Sequence, residues 1–260
     1  MKKFVALLLA VLMVASLCAC GQKDTGSDLQ TVTKGKLIMS TNAEFAPYEY
    51  VADDGKGFQG TGYEGIDIEI AYALAQKLSL ELVVDNMDFD AALSAVQTGK
   101  SDMVAAGVTV TPDRLNAMSF TDSYANGVQV VIVKEGSDIK SIDDLQGKKI
   151  GTQRGTTGFL YCSDDFGDDN VIGFDDGATA VQNLKAGKID CVVIDNVPAQ
   201  EYVKANPGLT ILDTEYANED YAIGIAKDNT ALQEALNKAL AELKADGTIQ
   251  SIIDKYIPAK

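Results

Sequence analysis

The sequence contains a weak internal repeat, and this repeat limits the folds that the chain can adopt. Residues 92–104 resemble residues 180–192, and each segment reads as a helix, a glycine, a Lys-x-Asp turn and an apolar strand. A second match aligns residues 35–38 with residues 147–150, where each segment opens an apolar strand. Either match alone is weak, but together they indicate two α/β units built on the same plan.

The spacing of apolar residues predicts further elements around the repeats. Ile66, Ile70 and Leu74 recur every four residues, as on one face of a helix. Thr111 and Pro112 fit the N-cap and the first position of another helix. Strands are predicted near residues 37–41, 81–85, 102–106, 129–133, 149–152 and 191–194. Strands that alternate with helices predict an α/β fold with mixed, mostly parallel sheets that are covered on both faces.

Polar residues follow the predicted strands at equivalent positions of the two units. In the register of the repeat, Gly107 corresponds to Asp195, and Asn42 corresponds to Arg154. Ligands of open α/β sheets bind beyond the carboxyl ends of the strands. We therefore expect two lobes that face each other across a cleft.

The chain has two arginines against twenty lysines, and both arginines lie in turns rich in Thr and Gly. A guanidinium presents a rigid fork of donors that fits a carboxylate or a phosphate, whereas lysine is a flexible point charge. We predict that Arg114, in the turn at residues 109–114, forms half of a clamp for a carboxylate. The alternative is an ordinary surface ion pair, which contributes little.

The N-terminal residues predict export and a lipid anchor. A positive start precedes an apolar run at residues 4–17 that is too short to span a bilayer, as in a secretory signal. Residues 17–21, Leu-Cys-Ala-Cys-Gly, resemble the cleavage site of bacterial lipoproteins. We expect residues 1–19 to be a signal peptide, Cys20 to carry the lipid that holds the protein to the outside of the cell membrane, and residues 20–35 to be a flexible tether. A plain secreted protein is the alternative.

Charge and composition exclude several functions. The net charge of −16 argues against nucleic acid and against an anionic membrane surface as partners. The absence of histidine removes Ser-His-Asp catalysis, Cys-His catalysis and histidine metal sites, and we expect no catalytic residue, metal or cofactor. Cys162 and Cys191 either form a disulfide or stay as small buried residues. Acidic residues between positions 164 and 176 lack the spacing of a calcium loop and predict a solvated segment.

Five short segments occur in a fixed order along the chain. They are residues 41–50, 65–71, 109–114, 155–157 and 190–195. These segments resemble the polar-amino-acid family of bacterial solute-binding proteins that serve ABC importers (extracellular solute-binding protein family 3), and the similarity covers nearly all of residues 36–260. The resemblance implies a two-lobed, type II periplasmic-binding-protein fold joined by a two-strand hinge. The implied divisions are lobe 1 at 36–125 and 222–260, lobe 2 at 130–217, and a hinge near 126–129 and 218–221.

The same resemblance implies a site for a free L-amino acid between the lobes. Arg114 would bind the α-carboxylate of the ligand, together with groups of Thr109 and a backbone amide of Thr157. Asp195 would bind the α-ammonium, together with the carbonyl of Ala106 and the hydroxyl of Thr109. The other implied positions are Phe45, Phe89, Gly107 and Thr156 as ligand contacts, and Asn42, Glu44, Gln153 and Gly158 as tentative specificity positions.

Structural alternatives stay open at several of these positions. The alternative for Asp195 is a turn carboxylate at a strand end. The alternative for Phe45 and Phe89 is a core residue, and the alternative for the turn at 155–157 is a helix N-cap.

Among relatives that bind basic amino acids or glutamine, several carry an acid at the position of Asn42, so the asparagine here counts against a basic ligand. Glu44, two residues away, is the acid that would replace it, and the small Gly158 would leave room for a longer ligand. A polar or basic ligand is favoured.

The implied function is that of a monomeric lipoprotein that delivers its ligand to an ABC permease without catalysis. One alternative is an enzyme on the same scaffold, similar to the cyclohexadienyl dehydratases, with Glu44 as its general acid. Another is a receptor module that reports the ligand to a signalling partner.

Overall fold

The computed structural model describes residues 29–257 of the chain. The predicted signal peptide, Cys20 and most of the tether lie outside these residues. Across residues 29–257, no helix combines the length and the apolar character that a membrane span requires.

Strands and helices alternate along the described part of the chain. The strands are β1 (Lys36–Thr41), β2 (Glu44–Phe45), β3 (Glu49–Val51), β4 (Tyr63–Glu64), β5 (Glu81–Asn86), β6 (Met103–Val104), β7 (Met118–Phe120), β8 (Ala125–Lys134), β9 (Ile150–Gln153), β10 (Val171–Phe174), β11 (Cys191–Asp195), β12 (Leu209–Ile211), β13 (Ala217–Tyr221) and β14 (Gly224–Ala226). The α-helices are α1 (Ile66–Lys77), α2 (Phe89–Gln97), α3 (Pro112–Ala117), α4 (Thr157–Phe166), α5 (Gly177–Lys185), α6 (Asn196–Ala205), α7 (Thr230–Ala245) and α8 (Thr248–Tyr256). The predicted α/β class is confirmed.

The first lobe is built on a five-stranded sheet in the order β5-β1-β6-β14-β7. Strand β1 is parallel to β5 and β6, whereas β14 runs antiparallel to β6 and β7. Helix α7 buries Leu232, Leu236 and Leu240 completely in the core of this lobe. Each buried leucine stabilises the lobe by about 1.5–3 kcal/mol. A small antiparallel sheet of β2, β3 and β4 also belongs to this part of the chain.

The second lobe is built on a six-stranded sheet in the order β10-β9-β11-β8-β12, with β13 also paired to β8. Strand β9 is parallel to β10 and β11, and β8 is antiparallel to β11, β12 and β13. Both large sheets are therefore mixed, and they are not mostly parallel as predicted, because within the described residues they contain four parallel and five antiparallel ladders. The parallel ladders belong to the repeated units, whereas strands outside those units, chiefly β8 and β14, add antiparallel ladders.

Two segments of chain join the two sheets. The chain leaves the first sheet after β7, builds the second sheet from β8 to β13, and returns to the first at β14. Residues 125–129 of β8 pair antiparallel with residues 217–221 of β13 along the whole crossing. The fold is thus two-lobed, with two adjacent strands between the lobes.

The internal repeat has the same local structure in both lobes. Gly99 and Gly187 follow helices α2 and α5 with φ angles of 69° and 73°, a left-handed conformation that suits glycine. The carboxylates of Asp102 and Asp190 each accept a backbone N–H at the start of the first strand of their unit, at 2.7 and 2.8 Å. The Lys-x-Asp turn therefore ties the end of each helix to the neighbouring strand, β1 or β9, near its start.

The ladders correct the second match of the repeat by one residue. Met39 of β1 and Ile150 of β9 are equivalent, because they pair with equivalent residues of β6 and β11. Counting on from these residues, the counterpart of Asn42 is Gln153 and not Arg154, which the sequence match had indicated. A match of four residues is too short to fix the register of two strands, which is set by their pairing with β6 and β11.

Candidate functional site

A cavity lies between the two lobes, at the carboxyl ends of β1, β6, β9 and β11. The predicted positions that line it are Asn42, Phe45, Phe89, Ala106, Gly107, Thr109, Arg114, Gln153, Thr156, Thr157 and Asp195. Five further residues line it that the sequence did not single out: Glu49, Gln129, Val193, Ile194 and Tyr221. The fold therefore brings most of the predicted site together from both sheets.

Arg114 is a buried cation on the wall of this cavity. Its side chain reaches across the lobes: Nη1 donates to the carbonyl of Thr109 at 2.9 Å, and Nη2 donates to the carbonyl of Gly155 at 3.1 Å. The guanidinium also lies 5.5 Å from the ring centroid of Phe89. Burial lowers the pKa of Arg114, and the nearby carboxylate of Glu219 acts in the opposite direction. Within residues 29–257, no carboxylate forms an ion pair with Arg114, so donors remain for an anion.

The positions of Arg114 and of Thr157 follow from helix capping. The hydroxyl of Thr111 accepts the N–H of Arg114 at 3.2 Å and caps α3, with Pro112 in the first turn, as predicted. The hydroxyl of Thr156 caps α4 by accepting the N–H of Phe159 at 3.3 Å. Thr157 is the first residue of α4, and the free N–H groups of a helix N-terminus favour an anion. The turn at 155–157 is therefore a helix N-cap, with Thr156 as the capping residue, as the alternative interpretation held. Thr156 and Thr157 also line the cavity.

Asp195 is a buried acid on the same cavity. Its Oδ1 accepts the N–H of Val197 at 3.0 Å and thereby caps α6, while Oδ2 accepts the N–H of Val128 at 3.0 Å and the hydroxyl of Tyr221 at 2.9 Å. Burial raises the pKa of Asp195 to about 6, against the opposing effect of these hydrogen bonds. Asp195 is therefore both a capping carboxylate and a charge on the cavity wall, and one acceptor position of Oδ1 remains free.

Contacts across the cleft connect predicted positions of the two lobes. The side-chain amide of Gln153 donates to Oδ1 of Asn42 at 2.8 Å, and the hydroxyl oxygens of Thr109 and Thr157 are 3.5 Å apart. On the first lobe, the ring of Phe45 stacks on Tyr48. Phe45 and Phe89 pack in the apolar clusters of the lobes and also line the cavity. They are therefore core residues, as the alternative interpretation held, and they also lie where the resemblance places ligand contacts.

Two tentative specificity positions lie outside the cavity. Glu44 is exposed and faces a separate groove beside Asp176 and Tyr202. Burial raises the pKa of Glu44, and the surrounding carboxylates, first Asp176, raise it further. Gly158 is buried in α4 against Gln129, where a Cβ would stand 2.9 Å from Oε1. Gly158 does not line the cavity, and its small size serves the packing of the second lobe instead of making room for a longer ligand.

Several other sequence features lie away from the cavity. Arg154 is exposed and forms an ion pair with Asp175, with 3.0 Å between Nη1 and Oδ1. It thus belongs to an ordinary surface ion pair, the role that was the alternative to a carboxylate clamp for Arg114. Cys162 and Cys191 are buried free thiols in the core of the second lobe. Within residues 29–257, no group of acids or cysteines has the geometry of a metal site.

The fold and the cleft define a class: a two-lobed binding protein that holds a small molecule between its lobes. Residues 37–259 match the model of the family described as bacterial extracellular solute-binding proteins, family 3. The chain belongs to this family, and it works as a solute-binding protein outside the cytoplasm and not as an enzyme.

Curated relatives cover almost the whole chain. The arginine-binding extracellular protein ArtP of Bacillus subtilis (strain 168) is 33% identical over 266 aligned positions, and the alignment covers 98% of this chain and 98% of the relative. The L-cystine-binding protein TcyJ of Escherichia coli (strain K12) is 29% identical and covers 96% of this chain and 93% of the relative.

Solved structures share the fold over most of both chains. An ancestral arginine-binding protein bound to glutamine is 39% identical, covers 87% of this chain and 100% of that chain, and superposes with a TM-score of 0.80. ArtJ of Geobacillus stearothermophilus, described as an arginine-, lysine- and histidine-binding protein, is 30% identical, covers 86% of this chain and 96% of that chain, and has a TM-score of 0.79.

Proposed function

We propose that this protein captures a free L-amino acid, polar or basic, between its lobes and delivers it to the permease of an ABC importer. The observation that carries the proposal is the pair of buried opposite charges on one cavity, Arg114 and Asp195. Within residues 29–257, neither is in an ion pair with the other or with a third residue. Burying two such charges without an opposite charge beside either of them is costly, and a zwitterion supplies both.

Each end of the ligand has matching groups. The α-carboxylate meets the guanidinium of Arg114 and the N-terminus of α4 at Thr157, which both favour an anion. The α-ammonium meets Asp195 with the hydroxyl of Thr109 and the carbonyl of Ala106. The relatives whose names include arginine, histidine or cystine support an amino acid as the ligand.

Ligand capture is coupled to closure about the two crossing strands. We propose residues 126–129 and 218–221 as the hinge, with residues 36–125 and 222–260 as lobe 1 and residues 130–217 as lobe 2. Asp195 accepts hydrogen bonds from Val128 and Tyr221, one from each crossing strand, so a charge on its carboxylate acts directly at the hinge. Contacts from both lobes to one ligand favour the closed form.

Isothermal titration calorimetry against the twenty L-amino acids tests the ligand class. At least one polar or basic amino acid is expected to bind with a Kd in the micromolar range or below, about −8 kcal/mol. An absence of heat with every amino acid at millimolar concentration contradicts the proposal. Reconstitution with the permease and ATPase distinguishes delivery from a role as a receptor module.

The proposal also includes a lipid anchor on Cys20 and a monomeric state. Mass spectrometry of protein purified from membranes is expected to show an acylated N-terminal Cys20, and a Cys20→Ser variant is expected in the medium. Light scattering of the protein without its anchor is expected to give the mass of one chain. Binding of nucleic acid, metal or a cofactor plays no part in this function.

A further inference from the structure

Tyr221 is a buried phenol where the two lobes and the cavity meet. It is the last residue of β13, one of the two crossing strands, and it lines the cavity although it is only 1% exposed. Its hydroxyl donates to Oδ2 of Asp195 in the second lobe at 2.9 Å. Its ring meets the ring of Tyr48 in the first lobe edge to face, with 5.4 Å between the centroids. One side chain therefore contacts a crossing strand, the cavity and both lobes.

A glycine makes the space for this side chain. The ring lies over Gly127 of β8, the other crossing strand, where an added Cβ would stand 2.4 Å from Cζ and from Oη of Tyr221. Gly127 does not have a positive φ angle, so the close approach of the ring requires glycine and the backbone conformation does not. The backbone of Tyr221 also forms an antiparallel bridge with Thr109 on the cavity wall. The position of the phenol is thus fixed by its surroundings on several sides.

The hydroxyl of Tyr221 is the side-chain donor to Asp195, and within residues 29–257 the other two hydrogen bonds to this carboxylate come from backbone N–H groups. Burial, and then the charge of Asp195, raises the pKa of Tyr221 well above its usual value, so the phenol keeps its proton and remains a donor. A hydrogen bond to the ionised form of an acid stabilises that form. The phenol therefore opposes the burial that raises the pKa of Asp195 to about 6.

Other titratable groups near Asp195 come from both lobes. Glu219, also on β13, raises the pKa of Asp195 beyond the effect of burial, and Tyr48 lies near Asp195 in the first lobe. Arg114 is the cation that lines the same cavity. Replacing Tyr221 by phenylalanine removes a hydrogen bond from Asp195 and leaves each of these charged groups in place.

We propose that Tyr221 is the positioning residue for recognition of the ligand α-ammonium. Its hydroxyl engages Oδ2 of Asp195, so that the free acceptor position of Oδ1 remains for the ammonium, and it favours the ionised carboxylate that the ammonium needs. Tyr48 and Gly127 hold the ring in the place from which the hydroxyl reaches Asp195. This inference rests on the proposed function and adds to it a residue that acts through Asp195.

Tyr221→Phe tests this role, because it keeps the ring and removes only the hydroxyl. Carboxyl-carbon NMR of the ligand-free protein is expected to show the titration midpoint of Asp195 about one pH unit higher than in the wild type, the effect of one lost hydrogen bond to a charged group. Gly127→Ala, which displaces the ring, is expected to shift the midpoint in the same direction. Tyr216→Phe is the matched control: the hydroxyl of Tyr216 also donates to a carboxylate, that of Asp165 at 2.6 Å, but Tyr216 does not line this cavity.

Calorimetric titrations with the preferred amino acid between about pH 5 and pH 9 give a second readout. Below about pH 6, Tyr221→Phe is expected to bind up to about tenfold more weakly than the wild type, and the difference is expected to narrow well above the two midpoints, because the ammonium binds ionised Asp195. Thermal unfolding checks the fold of each variant. An unchanged midpoint in Tyr221→Phe, or an equal shift in Tyr216→Phe, overturns the inference and leaves the proposed function standing. A wild-type protein that binds no amino acid overturns both.

Discussion

At the scale of single residues, the cleft keeps charged groups away from water without pairing them to one another. Arg114 is 8% exposed and Asp195 is 1% exposed, yet each has neutral partners within the protein: backbone carbonyls for the cation, and backbone N–H groups and a phenol for the acid. Neutral partners hold the side chains in position and leave their charges available. The two arginines of the chain differ in this respect: Arg114 is buried and bonds to neutral carbonyls, whereas Arg154 is exposed and paired with Asp175.

Replacing Arg114 by alanine is expected to weaken ligand binding by at least about 100-fold, because two charge-assisted hydrogen bonds to the α-carboxylate are lost. Calorimetry with the preferred amino acid measures the effect. The fold is expected to persist, since the substitution also removes a buried, unpaired charge. Arg154→Ala is the matched control and is expected to bind normally. Near-normal affinity in Arg114→Ala contradicts the clamp.

The pH dependence of binding reports on Asp195. The pKa of Asp195 is raised to about 6 in the ligand-free protein, and an α-ammonium binds the ionised form. Affinity for a neutral amino acid is therefore expected to be constant well above pH 6 and to fall by up to about tenfold for each pH unit below it. A pH series of titrations measures this. An affinity that stays flat down to pH 4.5 contradicts the role of Asp195.

At the scale of elements, the turn before α4 is a close contact between the lobes. Gly155 has a φ angle of 76°, and its carbonyl accepts from Arg114 of the other lobe. A Cβ at this position would stand 1.6 Å from Oδ1 of Asp90, which lies on α2 in the first lobe. The turn therefore requires glycine both for its backbone conformation and for the close approach of the lobes.

Gly155→Ala is expected to obstruct closure and weaken binding by about tenfold or more, about 1.4 kcal/mol. Gly167→Ala is the matched control, because Gly167 also has a positive φ, 85°, but a Cβ added there would meet no atom within 4 Å. Adding Asp90→Ala to Gly155→Ala is expected to restore part of the affinity, since the obstructing carboxylate is gone. Calorimetry measures affinity, and thermal unfolding checks the fold. Equal losses in both glycine variants would assign the effect to backbone strain instead.

At the scale of the whole molecule, the ligand contributes contacts that the lobes lack. Asn42 with Gln153, Thr109 with Thr157 and Arg114 with Gly155 are polar contacts across the cleft. Phe45 packs against the apolar core of the second lobe, but each lobe also has an apolar core of its own. A ligand that contacts both lobes is therefore expected to stabilise their closed arrangement.

Ligand at one hundred times its Kd is expected to raise the free energy of unfolding by about 2.7 kcal/mol. Thermal unfolding over a series of ligand concentrations measures this increase. X-ray scattering with and without ligand measures whether the radius of gyration falls on binding. Arg114→Ala is expected to show neither change, and a ligand-induced compaction in that variant contradicts the link between the clamp and closure.

Local patterns in the sequence were sufficient to predict the α/β plan, the repeated helix, turn and strand, and the cap at Thr111 of the helix that carries Arg114. These features depend on apolar spacing, capping residues and glycines at positive φ. Only the folded arrangement shows which of two nearby acids, Glu44 or Glu49, faces the cavity, and that Gln153 and not Arg154 is the counterpart of Asn42. In a strand each residue faces the opposite side from its neighbour, so a shift of one residue in register exchanges a buried position for an exposed one. That register is set by pairing between distant segments, which no local pattern records.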